Sequence, residues 1–270
     1  MILVNGQEEE RISVRDRGLA YGDGIFRTLT AREGELQYWE RQYAKLYEDC
    51  LRLDLPCPSE LLLRQECEQV SYGQRKCVVK IVVTRGQGNR GYAFPKQNQP
   101  TRIVMRADFP HYPEDNWRIG IKVRLCEIRL AEQPALAGIK HLNRLENVLA
   151  RSEWGDPAIA EGLLLDHSGN VIEGVASNLF MVKDGVLVTP DLRRCGVAGV
   201  TRERILEWAK QARVETEIRD IHFDELRKAD ECIVCNSLIG IWPVRELEDL
   251  RWKNTGLVPQ IHNFFAEFHD

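Results

Sequence analysis

The chain has 270 residues, of which 43% are apolar and 29% are charged, and its formal net charge is −4. This length favours about two domains, and the composition is that of a folded globular protein rather than a disordered one. Because no dense basic tract is present, nucleic acid is not expected as the main partner. No apolar run reaches the roughly 18–20 residues of a membrane span, so no membrane partner is expected either.

Strand and helix patterns alternate in the first part of the chain. The β-branched run over 77–84 predicts a buried strand, and Glu33-Gly34 between two apolar segments predicts a hairpin. Apolar residues at helical spacing predict a helix over 40–53, and Pro58-Ser59-Glu60 opens the next one, which should end near Gly73. We predict strands over 3–7, 26–30, 36–39, 77–84 and 101–105, and helices over 40–53 and 58–73.

A polar segment with two prolines, residues 109–117, is the best candidate for an interdomain linker. We therefore predict an N-terminal α/β domain over 1–108 and a C-terminal domain over 118–270. In the second domain the patterns predict strands over 119–125, 162–166, 171–173, 178–182, 186–188 and 232–235, and helices over 143–154, 201–212 and 255–268. One face of the first of these helices carries Leu145, Val148, Leu149 and Ser152.

The eight cysteines contain one C-x-x-C pair, Cys232 and Cys235, within an apolar run. With no second pair and no histidine at ligand spacing, this pattern is more typical of buried thiols than of a zinc or redox site, and no metal is expected. The first ten residues lack the basic and apolar regions of a signal peptide. We therefore expect a cytoplasmic protein with reduced thiols.

Lys140 lies in a glycine-containing connection before a predicted helix. A lysine held there can place its amine in a cleft, where desolvation favours the neutral, nucleophilic form. Glu173 follows in an otherwise apolar strand, and a carboxylate buried there needs a cationic or hydrogen-bonding partner. Taken one at a time, both positions are also typical of solvated surface residues.

A candidate phosphate site lies where the predicted helix over 201–212 begins. Free backbone N–H groups and the hydroxyl of Thr201 can bind a phosphate there, although threonine is also a common N-cap. Ser237, after the strand over 232–235, can add a second hydroxyl. An amine, a carboxylate and a phosphate cradle together match the reactive groups of pyridoxal 5′-phosphate (PLP).

Three motifs in the sequence resemble those of a known enzyme family. They are YGDGIF at 21–26, TRGQGNRGY at 84–92 and GIKHLNRLE at 138–146. Together they resemble the fold type IV PLP enzymes, the family of branched-chain aminotransferases, D-amino acid aminotransferases and aminodeoxychorismate lyases. The matches extend from about residue 5 to residue 243 in the family's order, and the second and third motifs are most similar to the lyase members.

The resemblance implies a two-domain α+β fold in which each domain is a mostly antiparallel sheet with helices, and in which residues 118–270 bind PLP. It implies that the Lys140 amine binds the cofactor covalently and moves protons, and that Glu173 pairs with the pyridine nitrogen. The remaining implied cofactor contacts are Asn178, Val200, Thr201 and Ser237. A homodimer with its site near the interface is implied as well.

The same resemblance implies a small-molecule substrate and a reaction. A lyase of this type would release pyruvate from 4-amino-4-deoxychorismate by β-elimination and leave 4-aminobenzoate, a step of folate biosynthesis. Thr28 would assist proton transfer, although it is equally typical of a strand, and Arg90 and Tyr92 would bind substrate carboxylate from the neighbouring subunit. Arg90 can equally be a residue of a mobile loop without a role in binding.

The sequence departs from the family in one place. The family's first long helix usually carries a His-x-x-Arg-Leu motif whose arginine reaches the phosphate, whereas this chain has QYAKL at 42–46. Lys45 can supply a point charge there but not a bidentate fork. Two alternatives stay open: an aminotransferase for D- or branched-chain amino acids that uses the same Lys140 and Glu173, and a non-catalytic homologue.

Overall fold

The structure is a computed structural model that describes residues 1–96 and 99–265. It divides the chain into two compact units, one made of Met1–Pro110 with Ile139–Asn143 and the other of His111–Gly138 with Arg144–Asp270. The first of the three points at which the chain changes unit, between residues 110 and 111, falls within the predicted linker, 109–117. The linker also contains most of a one-turn helix, Asp115–Arg118. The predicted domain limits, 1–108 and 118–270, stay a prediction beside this division.

The first unit is a six-stranded sheet with three helices. The strand order is β2-β1-β6-β5-β3-β4, and all neighbours are antiparallel. The elements are β1 (Ile2–Val4), β2 (Gln7–Glu8), α1 (Arg17–Tyr21), β3 (Gly24–Arg32), β4 (Glu35–Leu36), α2 (Trp39–Arg52), α3 (Glu60–Ser71), β5 (Lys76–Thr84) and β6 (Thr101–Asp108).

The core of this unit forms where α2 and α3 pack their apolar faces on the sheet, and Leu46, Leu63 and Val79 belong to the same buried cluster. Ser59 caps α3, and its hydroxyl accepts a hydrogen bond from the Leu62 N–H at 3.4 Å. The predicted strand over 36–39 is wrong in its second half, because Tyr38 takes a left-handed conformation (φ 55°) and α2 begins at the next residue.

The second unit is a nine-stranded mixed sheet with the order β12-β11-β10-β13-β14-β7-β8-β9, while β15 pairs with β14. Its elements are α4 (Asp115–Arg118), β7 (Ile121–Leu130), α5 (Leu145–Arg151), β8 (Ile159–Asp166), β9 (Val171–Gly174), β10 (Asn178–Lys183), β11 (Val186–Pro190), α6 (Val200–Gln211), β12 (Thr216–Arg219), α7 (Phe223–Leu226), β13 (Glu231–Asn236), β14 (Gly240–Leu247), β15 (Leu250–Arg251) and α8 (Val258–Phe264). Most neighbours are antiparallel, and β11–β12, β14–β7 and β7–β8 are the parallel pairs along this strand order.

Two helices of this unit, α5 and α8, have bounds that differ from those that the sequence predicted. Helix α5 is shorter than the predicted 143–154, and its apolar residues Leu145, Val148 and Leu149 are 69%, 61% and 49% exposed. Helix α8 covers part of the predicted 255–268, and residues 266–268 lie outside the described residues. No helix in the described part of the chain is long and apolar enough to cross a membrane.

Cys232 and Cys235 are free thiols with no exposed surface. They are three residues apart on β13, so their side chains point to opposite faces of the sheet and pack in different apolar clusters. Burial raises the pKa of Cys235 to about 12. Neither thiol therefore has the shared face or the thiolate character that a zinc or redox pair needs.

The carboxylate of Glu231, on β13, caps the N-terminus of helix α8. Glu231 is 4% exposed and accepts hydrogen bonds from the N–H groups of Gly256, Leu257 and Val258 at 2.5–3.1 Å. We expect Glu231→Gln to lower the free energy of unfolding by about 1–2 kcal/mol, because the amide accepts fewer of these bonds and carries no charge at the helix N-terminus. Urea unfolding measures this loss, and Glu215→Gln, at an exposed position, is the control. Equal stability of the two variants would contradict the capping role.

Candidate active site

Lys140 is held by a short backbone pairing to β3. The Phe26 N–H donates to the Lys140 carbonyl and the Leu142 N–H donates to the Gly24 carbonyl, both at 2.9 Å, and Ile25 and His141 form an antiparallel bridge between them. The preceding residue, Ile139, is completely buried, which anchors the segment in the core of the first unit. These contacts fix the backbone from which the lysine amine projects.

The amine of Lys140 lies on one face of this sheet. Its Nζ is 4.7 Å from the centroid of the Phe26 ring, and the Nζ of Lys80 is 5.1 Å from the same centroid. Thr28 is two residues after Phe26 and directly opposite Lys80 in the β3–β5 register, so it shares this face. The predicted pair Lys140 and Thr28 is therefore brought to one surface, together with a cation that the sequence analysis did not single out.

Behind the lysine segment lies a buried ion pair between Arg27 on β3 and Asp49 on α2. Their side chains are 2% and 0% exposed, and the guanidinium donates to Asp49 Oδ2. The same oxygen accepts the Lys140 backbone N–H at 3.3 Å. Asp49 thus joins α2 to the lysine segment. Sequence reasoning missed this pair, although Arg27 shares strand parity with Ile25 and Leu29 and so is a charge on the buried face.

Lys45 lies on α2 one turn before Asp49 and is 8% exposed. Its amine donates to Glu48 Oε2 at 2.6 Å, and this hydrogen bond is the largest cause of the lowered pKa of Glu48. The substitution of the family's usual arginine by lysine therefore places a point charge that already has one carboxylate neighbour. Its predicted role at the phosphate stays a prediction.

Arg90 and Tyr92 lie on the loop that follows β5. Both side chains are exposed, Tyr92 to 84%. Their exposure agrees with side chains that project from the unit, and their predicted contact with substrate carboxylate stays a prediction.

Glu173 lies in β9 and is 3% exposed, as its apolar surroundings in the sequence indicated. Its Oε2 accepts the Val197 N–H at 2.8 Å. The buried carboxylate is thus tied to the segment that leads into α6. Asn178, at the start of β10, holds the same segment with both ends of its amide: Nδ2 donates to the Val197 carbonyl at 2.7 Å, and Oδ1 accepts the Gly199 N–H at 3.1 Å.

The N-terminus of α6 begins at Val200 and Thr201, which are 3% exposed. Its N-cap is Gly199, which has no side chain with which to cap the helix. A Cβ at residue 199 would lie 2.4 Å from Asn178 Oδ1, so a larger residue would displace the asparagine. The first N–H groups of the helix therefore stay available to an anion, since the first turn of a helix lacks intrahelical acceptors for them.

Ser237 lies in the turn after β13, at the same sheet end as Asn178, which pairs with Cys235. Asn236 shapes this turn, because its Oδ1 accepts the N–H groups of Leu238 and Ile239 at 2.8 and 3.0 Å. Its Nδ2 donates to the Ala176 carbonyl at 3.0 Å. The second unit therefore brings together the predicted residues Glu173, Asn178, Val200, Thr201 and Ser237.

Gly138 pairs, within the second unit, with the segment that leads into α6. The Gly138 N–H donates to the Gly196 carbonyl at 2.9 Å, and the Ala198 N–H donates to the Gly138 carbonyl at 3.0 Å. Lys140 follows two residues later along the chain. The first unit carries an amine, and the second carries a buried carboxylate and a helix N-terminus with a glycine N-cap and nearby hydroxyls. These are the donor groups that the aldehyde, the pyridine nitrogen and the phosphate of PLP require, so the residues present fit this cofactor.

The antiparallel sheets with helices and this donor set define an enzyme of PLP fold type IV. A model of the family "Amino-transferase class IV" matches residues 24–247. The chain is 36% identical to an aminodeoxychorismate lyase of Vibrio harveyi over 246 residues, 90% of each chain. It is 31% identical to a putative branched-chain-amino-acid aminotransferase of Methanocaldococcus jannaschii over 256 residues, 92% of this chain and 88% of that one.

A solved structure extends these matches. The crystal structure of 4-amino-4-deoxychorismate lyase from Pseudomonas aeruginosa is 49% identical in sequence, with a TM-score of 0.95 over 99% of this chain and 98% of that one. The chain belongs to the class IV aminotransferase family, whose members depend on PLP. The predicted fold type, family and cofactor are thereby confirmed.

Proposed function

We propose that the protein is a PLP-dependent carbon–oxygen lyase that converts 4-amino-4-deoxychorismate to 4-aminobenzoate and pyruvate. The observation that carries the proposal is the 49% identity, at a TM-score of 0.95, to the lyase of Pseudomonas aeruginosa along nearly the whole of both chains. The lysine motif at 138–146, most similar to the lyase members of the family, supports the same assignment.

The cofactor would be held at three of its groups. The Lys140 amine would bind its aldehyde, and Glu173 would hold a proton on the pyridine nitrogen, because a buried carboxylate favours a cationic partner. The N–H groups of Val200 and Thr201 and the hydroxyls of Thr201 and Ser237 would bind the phosphate, with Lys45 as an added charge. Asn178 would act indirectly, since both ends of its amide hold the backbone at 197 and 199.

Bound PLP supplies an electron sink for the carbon that carries the substrate amine. The amine of Lys140, once released from the aldehyde, would take the proton from that ring carbon. The neighbouring C–O bond would then break and the ring would become aromatic, and the proton taken by Lys140 would balance the one that the departing enolpyruvate gains on becoming pyruvate. The Thr28 hydroxyl, on the same face as the lysine, would assist that proton transfer.

The substrate is a dicarboxylate, so its site needs cations. Lys80 lies directly opposite Thr28 in the sheet register, and its amine shares the Phe26 ring with Lys140. We assign Lys80 to one substrate carboxylate, alongside Arg90 and Tyr92 from the neighbouring subunit. A fixed cation on the face that carries the base would orient the substrate ring toward it.

The test is pyruvate release from 4-amino-4-deoxychorismate by the holoenzyme without any keto-acid acceptor. We expect equal amounts of pyruvate and 4-aminobenzoate, with no stimulation by 2-oxoglutarate. The alternative is an aminotransferase, which the 31% identity to the Methanocaldococcus jannaschii relative favours. Turnover that depends on an acceptor would establish the aminotransferase, and absence of both reactions in PLP-loaded protein would establish a non-catalytic homologue.

A homodimer is the assembly that best accounts for α5. Leu145, Val148 and Leu149 form an apolar face that is 49–69% exposed in the single chain. Apolar surface concentrated on one helix face is typical of a subunit contact. A second copy of the chain would cover it, with the active site near the interface.

We expect Val148→Glu to raise the dimer dissociation constant about thirtyfold, which corresponds to about 2 kcal/mol for a buried apolar contact replaced by a charge. Sedimentation equilibrium measures the change. Ile218→Glu on β12, where the isoleucine is 54% exposed, is the matched control. A dimer that is weakened equally by both variants, or by neither, contradicts an interface at α5.

We further propose that the enzyme acts in the cytoplasm, as a step of folate biosynthesis. Its product 4-aminobenzoate would serve that pathway. All eight cysteines are free thiols, as expected in a reducing compartment. Growth of a cell that lacks its own lyase, on medium without 4-aminobenzoate, tests the pathway role.

A further inference from the structure

The short helix α1 presents two side chains to the loop over residues 86–93. Arg17 donates from Nη1 to the Gly91 and Ala93 carbonyls at 2.9 and 3.3 Å, and from Nη2 to the Tyr92 carbonyl at 3.1 Å. The hydroxyl of Tyr21, one turn later, accepts the Gly91 N–H at 3.2 Å. One guanidinium therefore contacts three consecutive carbonyls of the loop.

The guanidinium is fixed from its other side. Arg17 is 4% exposed, and its Nε donates to Asp23 Oδ2 at 2.7 Å. Asp23 also accepts Nε of Arg85, whose Nη groups donate to the carbonyls of Leu53 and Asp54 at 2.8 and 2.6 Å. Asp23 thus lies between two buried arginines, and its ion pair with Nε holds the Arg17 guanidinium whose Nη groups contact the loop.

Residues 86 and 88, at the start of the loop, also contact or closely approach Arg17. The Arg17 N–H donates to the Gly86 carbonyl at 2.8 Å. A Cβ at Gly88 would lie 3.0 Å from Arg17 Cδ, so the glycine lets the loop backbone pass close to the arginine stem. The loop is therefore attached to the same residue both before and after Arg90.

We infer that Arg17 is a positioning residue for substrate recognition: its guanidinium holds the backbone of residues 91–93 so that the side chains of Arg90 and Tyr92 project at fixed positions toward the substrate carboxylate. This inference rests on the proposed function, which gives those two side chains their ligand. The loop loses its conformational freedom when the protein folds, so substrate binding does not have to order it.

Lysine cannot replace arginine in this role. The planar guanidinium offers five N–H donors in a fixed fork, whereas an ammonium is a single charge on a flexible stem. Arg17→Lys keeps a cation for Asp23 but cannot reach Asp23 and three carbonyls at once. The variant therefore separates the anchoring of the loop from the neutralisation of Asp23.

The test compares PLP-loaded wild type with Arg17→Lys, Tyr21→Phe and the control Arg11→Lys. The side chain of Arg11 is 88% exposed, and within the described residues it forms an ion pair with Glu9. The first readout is trypsin cleavage after Arg90, which needs a loosened loop but no catalysis. The second is the separation of KM from kcat in pyruvate release.

For Arg17→Lys we expect about tenfold faster cleavage after Arg90 and about a tenfold higher KM, with kcat within about threefold of wild type, because charge-assisted hydrogen bonds to the loop are lost while the reacting groups are untouched. Tyr21→Phe should shift both readouts the same way by a smaller factor, and Arg11→Lys should shift neither.

Unchanged cleavage and KM in Arg17→Lys, or a loss confined to kcat, would overturn the role of Arg17. If wild type itself releases no pyruvate, the proposed function fails, while the cleavage rates still decide whether Arg17 holds the loop.

Discussion

Lys140→Ala is expected to reduce pyruvate release by about four orders of magnitude, because in the proposed function this one residue supplies both the covalent attachment of the cofactor and the base that takes the substrate proton. The expectation follows from the place of the residue. Its backbone is paired to Gly24 and Phe26 of β3, and its amine lies over the Phe26 ring. Steady-state assays with added PLP measure the loss, so that weakened cofactor binding does not contribute to it.

Borohydride reduction gives a second readout that does not need substrate. In wild-type protein, reduction should fix the cofactor on the peptide that contains Lys140, and mass spectrometry identifies that peptide. The same treatment of Lys140→Ala should leave all peptides unmodified. Lys210→Ala, at an exposed position in the last turn of α6, is the control and should behave as wild type. Modification of another lysine in wild type would refute the assignment.

Asp49→Asn is expected to lower the free energy of unfolding by about 3–5 kcal/mol, because it leaves the charge of Arg27 buried without its counterion. Both side chains are almost fully buried, and Asp49 Oδ2 also accepts the backbone N–H of Lys140 at 3.3 Å. The loss therefore acts on the segment that carries Lys140 as well as on the core. Urea unfolding of the apoenzyme measures it, since bound cofactor would add its own stabilisation.

Two controls separate the buried pair from charge in general. Glu68→Gln breaks an ion pair with Arg64 whose members are each 48% exposed, and it should change the free energy of unfolding by less than about 1 kcal/mol. The double variant Arg27→Met with Asp49→Leu removes both buried charges and should recover much of the stability lost in Asp49→Asn. A loss as small in Asp49→Asn as in Glu68→Gln would show that the pair is not a stabilising element.

Local patterns predicted much of the second unit's site. Glu173 is buried as its apolar strand indicated, and α6 begins at Val200 beside the glycine that marked its start. These features depend on neighbours in sequence: strand alternation sets which face a side chain takes, and a helix start exposes its own N–H groups. These features can therefore be predicted from the sequence without knowledge of the tertiary structure.

Other features depend on pairings between distant segments. Arg27 and Asp49 are 22 residues apart on a strand and a helix, and each one alone is an ordinary charged residue. Lys80 became a candidate only through its register opposite Thr28. Arg17 contacts a loop more than seventy residues away along the chain through carbonyl oxygens, which every residue type has. No pattern of side chains can show such a contact.

The amino-acid sequence by itself determined the chemistry available to this protein: an amine, an inward carboxylate and an anion-binding helix start, in motifs that indicated the family. Tertiary structure decided which of the many charged side chains accompany them. The physical reason is that a charged group loses its hydration when it is buried, and it then needs a hydrogen-bonding or oppositely charged partner whatever its residue type. Arg27 with Asp49, and Arg17 with Asp23, acquire their roles only where folding removes water from around them.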